Sequence, residues 1–356
     1  MRIVVTGVAG FIGSTTAQLL LSDGHQVAGI DSMSNYYEPS RKSQNLAPLL
    51  AHENFDFHPL DLVADLTDVA FSDADAVVHL AGQPGVRRSW SEFDTYVSAN
   101  VEGTKAVLDA AVRHGIDRVA YASSSSVYGQ AARHPTPEDH PTAPQSPYAV
   151  TKLAGEHLCG LYFTERNLHT VSLRYFTAYG PRQRPDMLTQ RLVESARSGN
   201  AVTIFGDGHQ VRDFTFVGDI ARANALAITQ DVAPGSVYNI SGGSAVSVLD
   251  MISAVERAAD AEIAIEHRSK VSGDVRVTAG DNTRAARELQ WVPEVSLNGG
   301  LRAHVDWYDS VQARTMQYPV APQGTPELTL LDLSQPATTT REVPNGTTSS
   351  TRERTP

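Results

Sequence analysis

Short apolar runs alternate with amphipathic stretches along the first two-thirds of the chain. RIVVT (Arg2 to Thr6), QVAGID, FDFHP, DAVVHLA, RVAYASS, HTVSLRYF and, later, VYNIS are rich in β-branched and aromatic residues and predict strands. Between them a helix is expected through Ala17, Leu19, Leu20 and Leu21, and longer ones from Asn100 to His114 and from Tyr148 to Arg166. Strands alternating with helices imply a parallel sheet, because parallel neighbours need a crossover connection. Strands that are apolar almost throughout suit a sheet buried on both faces. The expected fold class is therefore α/β, a doubly wound parallel sheet with a smaller C-terminal lobe. Residues 1–174 would form the main domain, with returns near 211–241. Residues 175–210 and 242–318 would form the lobe. From 319 to 356, Pro, Thr, Ser and Gln dominate without apolar periodicity, and a disordered tail is expected.

Composition narrows the classes. The 356 residues are 41% hydrophobic and 19% charged, enough for a sizeable core. A formal charge of -11 disfavours nucleic acid or an anionic membrane as partner. No apolar run approaches the roughly 20 residues of a membrane span. The start of the chain lacks the pattern of a secretion signal, and the single cysteine, Cys159, suits a reducing compartment, so a cytoplasmic protein is expected. The histidines are scattered without zinc-ligand spacing, and no metal is expected.

Gly7, Gly10 and Gly13 fall between the first strand and the first helix, in the string GVAGFIG. In that setting the first two glycines let the chain turn tightly and approach a pyrophosphate, and the third lets helix pack on sheet. The helix N-terminus, with Phe11 and Ile12, then offers free N–H groups to the phosphates. Three glycines could also mark a plain turn. Asp31 weighs against that, since an acidic residue closing the second strand about 20 residues on is placed to accept from ribose hydroxyls. A carboxylate there repels a 2'-phosphate, which selects NAD over NADP. Asp61 and Leu62 close the third strand near the adenine position, and Leu80, Ala81 and Gly82 close the fourth beside the cofactor. These two assignments rest on position alone.

Tyr148 and Lys152 stand four apart on a helix that Ser146 could cap and Pro147 could open, so both project from one face. A phenol with a reference pKa near 10 becomes a usable base when a cation lies close to it. Such a pair also arises by chance on amphipathic helices. A second element adds weight: the run Ser123 to Ser126, followed by VYG, ends the predicted strand RVAYA at the carboxyl edge of the sheet, where ligands gather. Ser124, with Ser125 as second candidate, could relay a proton from a sugar hydroxyl to Tyr148. No G-x-S-x-G elbow surrounds Ser124, which disfavours a serine hydrolase.

Taken together, TGVAGFIG, NVEGTKAVLDAA, SSSSVYG, YAVTK, RYFTAYGPRQRPDM, RDFTFVGDIARA and GDVRVTAGDNTRAARELQW resemble, in order, the extended short-chain dehydrogenase/reductase superfamily and its nucleotide-sugar epimerase branch, over Met1 to about Tyr308. The resemblance implies a Rossmann-type NAD domain, a sugar-binding C-terminal lobe and a homodimer formed through a helix bundle. It also implies a nucleoside-diphosphate sugar as substrate, UDP-linked, turned over at carbon 4 through a 4-keto sugar. By the same resemblance Asn100 is a structural residue beside the cofactor, which Tyr175 also meets. Arg87, Thr177, Arg184, Arg212 and Asp274 meet the substrate. Dehydratases resemble TDEVYG where this chain has Ser125 and Ser126, and the related decarboxylases carry a Glu before VYG. The missing acids disfavour a lyase, and the complete Ser124, Tyr148 and Lys152 set disfavours a non-catalytic NAD sensor. Val271 stands where many UDP-glucose epimerases have an arginine, and Thr177 replaces their Asn. These departures, with Arg184, look closer to UDP-glucuronate 4-epimerases. They place glucuronate slightly ahead of glucose.

Overall fold

The computed structural model describes residues 1–65, 68–269 and 275–317, with side chains as far as residue 313. Residues Met1–Ala313 make one compact unit. Its elements, in chain order, are β1 (Arg2–Thr6), α1 (Phe11–Ser22), β2 (Gln26–Ile30), α2 (Pro39–Leu50), β3 (Phe55–His58), β4 (Ala76–His79), α3 (Phe93–Val97), α4 (Gly103–Arg113), β5 (Arg118–Ser124), α5 (Pro147–Arg166), β6 (His169–Tyr175), β7 (Thr177–Tyr179), α6 (Leu188–Ser198), β8 (Val202–Phe205), β9 (Val211–Phe216), α7 (Val217–Thr229), β10 (Ser236–Ile240), β11 (Ala245–Ser247), α8 (Val248–Ala259), β12 (Ile265–Arg268) and α9 (Leu297–Gln317).

Seven strands form one sheet in the order β10-β6-β5-β4-β1-β2-β3, and every neighbouring pair is parallel. Successive strand residues face opposite sides, so β1 feeds two cores. Ile3 and Val5 pack with Leu20, Ile220 and Trp291 on one face, while Val4 packs with Val77, Leu108 and Tyr121 on the other. This is the doubly wound α/β sheet that the apolar strands predict. The strand order reverses between β1 and β4, which opens a crevice at the carboxyl ends of the strands.

A third core, with Leu192, Val193, Met251, Val255 and Leu301, lies beneath a three-stranded sheet β11-β9-β7 and a two-stranded sheet β12-β8. Here the sequence reading and the structure differ in one respect. The segment 211–241 was expected to return to the main sheet, but only α7 and β10 do so, and β9 pairs with β7 and β11. The apolar alternation of VRDFTF is the same for either partner, so register within it cannot tell one sheet from the other. The expected tail at 319–356 lies outside the described residues.

Local chemistry accounts for the element that carries Tyr148. Ser146 Oγ accepts from the Ala149 N–H at 3.2 Å, Pro147 opens the helix, and Asn167 closes it in the left-handed conformation at φ +54°. Between α3 and α4, residues Ser98–Glu102 widen into a π-helical turn that carries Asn100, a distortion often found at functional sites.

Candidate active site

The crevice is a cavity of about 360 Å³, walled by Gly7, Gly10, Phe11, Ile12, Gly13, Asp31, Asp61, Leu62, Leu80, Ala81, Gly82, Tyr148, Lys152, Tyr175 and Arg184. The fold thus brings residues from the ends of β1 to β6, the head of α1, α5 and the loop after β7 to one wall. A second cavity of about 430 Å³ is lined by Arg87, Thr177 and Arg212, and Tyr36 borders both. Asp274 and Val271 lie outside the described residues.

The glycine turn is built for close approach. Gly7 has φ +69°, and its N–H donates to Ile30 O at 2.7 Å. A Cβ there would meet Ala81 N at 2.8 Å, and one on Gly13 would overlap the Gly7 carbonyl oxygen. At the head of α1, Gly10 supplies no side-chain cap to the first N–H groups, and Phe11, Ile12 and Gly13 line the crevice. Asp31 is 7% exposed. Its carboxylate accepts from Ala9 N at 3.1 Å, Met33 N at 2.8 Å and the Lys42 ammonium at 3.1 Å. A carboxylate has about four acceptor sites, so one remains for a ribose hydroxyl. A bare backbone turn, a free helix N-terminus and an acceptor at the end of β2 together fit a dinucleotide. Lys42, with its ammonium also donating to Ser34 Oγ at 3.2 Å, was missed in the sequence. It offsets the Asp31 charge on which the argument against a 2'-phosphate relied.

Asp61 Oδ1 closes an Asx turn onto Val63 N at 2.8 Å and Ala64 N at 3.1 Å. The Leu80 and Ala81 N–H groups both donate to Thr6 Oγ1 at 3.1 Å, which fixes the end of β4. Asn100 is buried behind the wall. Its side chain accepts from Gln83 N at 2.7 Å and donates to Gln83 O at 3.1 Å and to Thr151 Oγ1 at 2.9 Å, tying the loop after β4 to α5. Tyr175 donates its hydroxyl proton to Asn224 Oδ1.

Tyr148 and Lys152 point into the crevice from α5. Burial is the largest influence on the Tyr148 phenol and raises its pKa, whereas a hydrogen bond with Ser124 and the charge of Arg184 pull it down. Arg184 thus adds a cationic pull on the phenol that the sequence does not assign to it. Burial lowers Lys152 to about 8, against opposing pulls from Cys159 and Glu156. Its ammonium sits 4.8 Å from the Tyr121 ring centroid. Ser124 Oγ accepts from Ser126 N at 3.2 Å and from Ser126 Oγ at 2.9 Å, capping the 3-10 turn Ser125–Tyr128 on which Ser125 lies half-buried.

Arg184 does not face solvent, although it lies in the loop after β7. Its side chain is only 18% exposed and makes a bidentate pair with Asp186 at 3.0 and 3.0 Å. Burial works against its charge, but Asp186 prevails and holds the guanidinium pKa above its ordinary value. Tyr36 lies beneath both Arg88 and Arg184, at 4.7 and 5.7 Å from the ring centroid. Neither Tyr36 nor Asp186 was singled out from sequence, since each gains its meaning from partners remote in the chain.

In the second cavity Arg87 lies 4.1 Å over the Phe205 ring, and Arg212 donates to Val211 O at 2.7 Å. Arg212 and Asp213 are neighbours in β9 but serve different surroundings. Adjacent strand residues face opposite ways: Asp213 is buried and accepts from Gly280 N at 3.2 Å, while Arg212 lines the cavity.

Comparison with known proteins agrees with this geometry. The NAD dependent epimerase/dehydratase family matches residues 3–241. The uncharacterized UDP-glucose epimerase YtcB of Bacillus subtilis (strain 168) is 38% identical over 87% of this chain and 99% of its own length. The UDP-glucuronate 4-epimerase of Thermodesulfobacterium geofontis (strain OPF15) is 36% identical over 85% and 95%. The crystal structure of the Bacillus cereus UDP-glucuronic acid 4-epimerase, in complex with UDP-glucuronic acid and NAD, superposes with a TM-score of 0.84 at 39% identity, covering 87% of this chain and all of that one. With a glycine turn, a buried carboxylate at the end of β2 and a tyrosine–lysine pair in one crevice, and with similarity that spans most of its length, the chain belongs to the NAD dependent epimerase/dehydratase family.

Proposed function

We propose that the protein is an NAD-dependent 4-epimerase of UDP-linked sugars, interconverting UDP-glucuronate and UDP-galacturonate in preference to UDP-glucose and UDP-galactose through a 4-keto sugar. The observation that carries this reading is the convergence of Tyr148, Lys152 and Arg184 on the crevice that also holds the glycine turn and Asp31. Gly7, Gly10, Gly13 and the head of α1 hold the pyrophosphate, Asp31 the adenosine ribose, and Lys152 the nicotinamide ribose. Bound there, NAD supplies reversible hydride acceptance at sugar carbon 4. The share of the protein is to move one proton and to orient the ring. Tyr148 accepts the proton of the 4-hydroxyl, with Ser124 as its relay, and returns it after the keto sugar has presented its other face. Arg184 stabilises the phenolate and is placed to meet a carboxylate on the sugar. A guanidinium suits that partner because its fork matches two oxygens.

Arg87, Thr177 and Arg212 suit the nucleoside diphosphate, in the cavity adjoining the catalytic one. Ser125 and Ser126 leave this segment without the acid and base that elimination requires. The outer faces of α4 and α5, which pack side by side, expose Val112, Val150 and Leu161 at 39, 49 and 53%. These support a homodimer joined through that helix pair. Among the described residues, no helix is long and apolar enough to cross a membrane, and the buried free thiol of Cys159 supports a cytoplasmic location. The test is incubation with UDP-glucuronate and with UDP-glucose separately, followed by NMR of the sugar. Formation of the C4 epimer is expected. A dehydrated or decarboxylated product, or unchanged sugar in both reactions, would overturn the reading.

A further inference from the structure

Behind the crevice lies a buried ionic cluster that none of the proposed steps uses. Glu156 follows Lys152 by one helical turn, on the stripe of α5 that starts with Tyr148. Its carboxylate accepts from Arg174 Nε at 2.9 Å and from a terminal Arg174 nitrogen at 2.8 Å, and also from Ser123 Oγ. The two side chains of this ion pair are 7 and 6% exposed. The other terminal nitrogen of Arg174 donates to Tyr128 Oη at 2.8 Å and to Glu138 O at 3.1 Å. Tyr128 in turn donates to Asn239 Oδ1 at 2.7 Å.

Each anchor of this cluster is joined to a residue of the crevice. Ser123 itself lines the crevice, Arg174 precedes Tyr175, and Glu156 shares a helix face with Lys152. We propose that Glu156, clamped by Arg174, is a positioning residue: the counter-charge of Lys152 and the brace that locks the end of β5 against α5. The inference rests on the epimerase reading for its consequence in turnover, but not for its charge.

The groups facing Lys152 single out Glu156. From α5 come Glu156 and Cys159, with Tyr148 one turn earlier on the same face, from β4 His79, and from β5 Tyr121. Burial and the Lys152 charge push His79 down to about 3, so it is neutral near pH 7. Tyr121 and Cys159 are held neutral by burial. Glu156 is therefore the facing group that brings an opposite charge to a buried ammonium. A carboxylate locked bidentately on a guanidinium also cannot swing, so it fixes the rotation of α5 relative to Ser123. Breaking such a pair on one side leaves a buried charge exposed to nothing, whereas removing both charges together is tolerated far better.

The test observes Lys152 itself. The full chain contains Lys42, Lys105, Lys152 and Lys270 as its lysines, so ε-carbon-labelled lysine gives an NMR spectrum simple enough to titrate, with Lys152→Arg assigning the signal. In Glu156→Gln the Lys152 midpoint is expected to fall by about one unit or more, the size of an opposite charge lost at close range. The double variant Glu156→Gln with Arg174→Met is expected to show a smaller fall, because the Arg174 charge is lost with that of Glu156, while recovering the thermal midpoint, which covers the case in which the single variant does not fold. Glu156→Asp keeps the charge but shortens the brace: Lys152 should titrate as in the wild type while kcat falls about tenfold or more and KM holds, as expected when a reacting group is misplaced. An unshifted Lys152 in a folded variant lacking the Glu156 carboxylate would overturn the proposal, as would wild-type kcat in Glu156→Asp. Failure of all three to fold would do so too, by making the cluster a requirement of folding alone. Because the titration needs no turnover, an inactive wild type would count against the epimerase reading and not against this one.

Discussion

Replacing Arg184 by Gln is expected to separate the two candidate sugars. In the structure the guanidinium is bound by Asp186, which is 43% exposed. A hexuronate carboxylate would take the place of Asp186, whose own carboxylate would return to water. A charge-assisted hydrogen bond contributes about 1.5–3 kcal/mol, and loss of the partly exposed Asp186 pair subtracts up to about 1 kcal/mol. The remaining 0.5–2 kcal/mol or so corresponds to about a 2- to 30-fold rise in KM for UDP-glucuronate. UDP-glucose has no carboxylate, so its KM should change much less. Arg184 also lowers the pKa of Tyr148, so kcat should fall with both sugars, and its acid limb should move upward because a less acidic phenol needs a higher pH to ionise. The assay is initial-rate kinetics on the two UDP-sugars across pH, read by NMR. Equal changes in KM for both sugars would refute the assignment of Arg184 to the carboxylate. An unmoved acid limb would refute its action on Tyr148.

Other perturbations test separate parts of the site. Tyr148→Phe removes the base without altering the wall, and kcat should drop about 100-fold or more, with cofactor content unchanged by absorbance. In Gly13→Ala the new methyl would overlap the Gly7 carbonyl oxygen, so the purified protein should lose bound dinucleotide and melt at a lower temperature in thermal denaturation. Lys152, lowered to about 8, sheds its proton as pH rises through that value, so kcat should decline on the alkaline side with a midpoint near 8. Stability should move the other way. The unfolded lysine, with a pKa of about 10.4, binds its proton more tightly, so the penalty of the buried ammonium is full below pH 8 and is relieved between about 8 and 10.4. Melting curves of wild type and Lys152→Met across that window measure the difference. Leu161→Glu should convert a dimer to monomers in analytical ultracentrifugation if α5 forms the subunit contact.

Much of the molecule is legible from sequence because its information is local. The apolar strands, the Ser146–Pro147 helix start, the glycine turn and the fourfold spacing of Tyr148 and Lys152 each depend on residues within one or two turns of each other. The backbone converts such spacing directly into direction, and a parallel sheet with a crevice at its strand ends follows. Charge partners obey no such rule. Lys42 beside Asp31, Arg184 above Tyr36 and Arg174 on Glu156 are joined by packing between elements that the chain order does not rank. The same holds for β9, whose alternation would satisfy either sheet. Sequence alone therefore determined which backbone could hold a dinucleotide and which phenol and amine would share a helix face. Only the tertiary structure decided which ion neutralises which, because electrostatic pairing depends on distance in space and on exclusion of water, and both arise when separate elements come together.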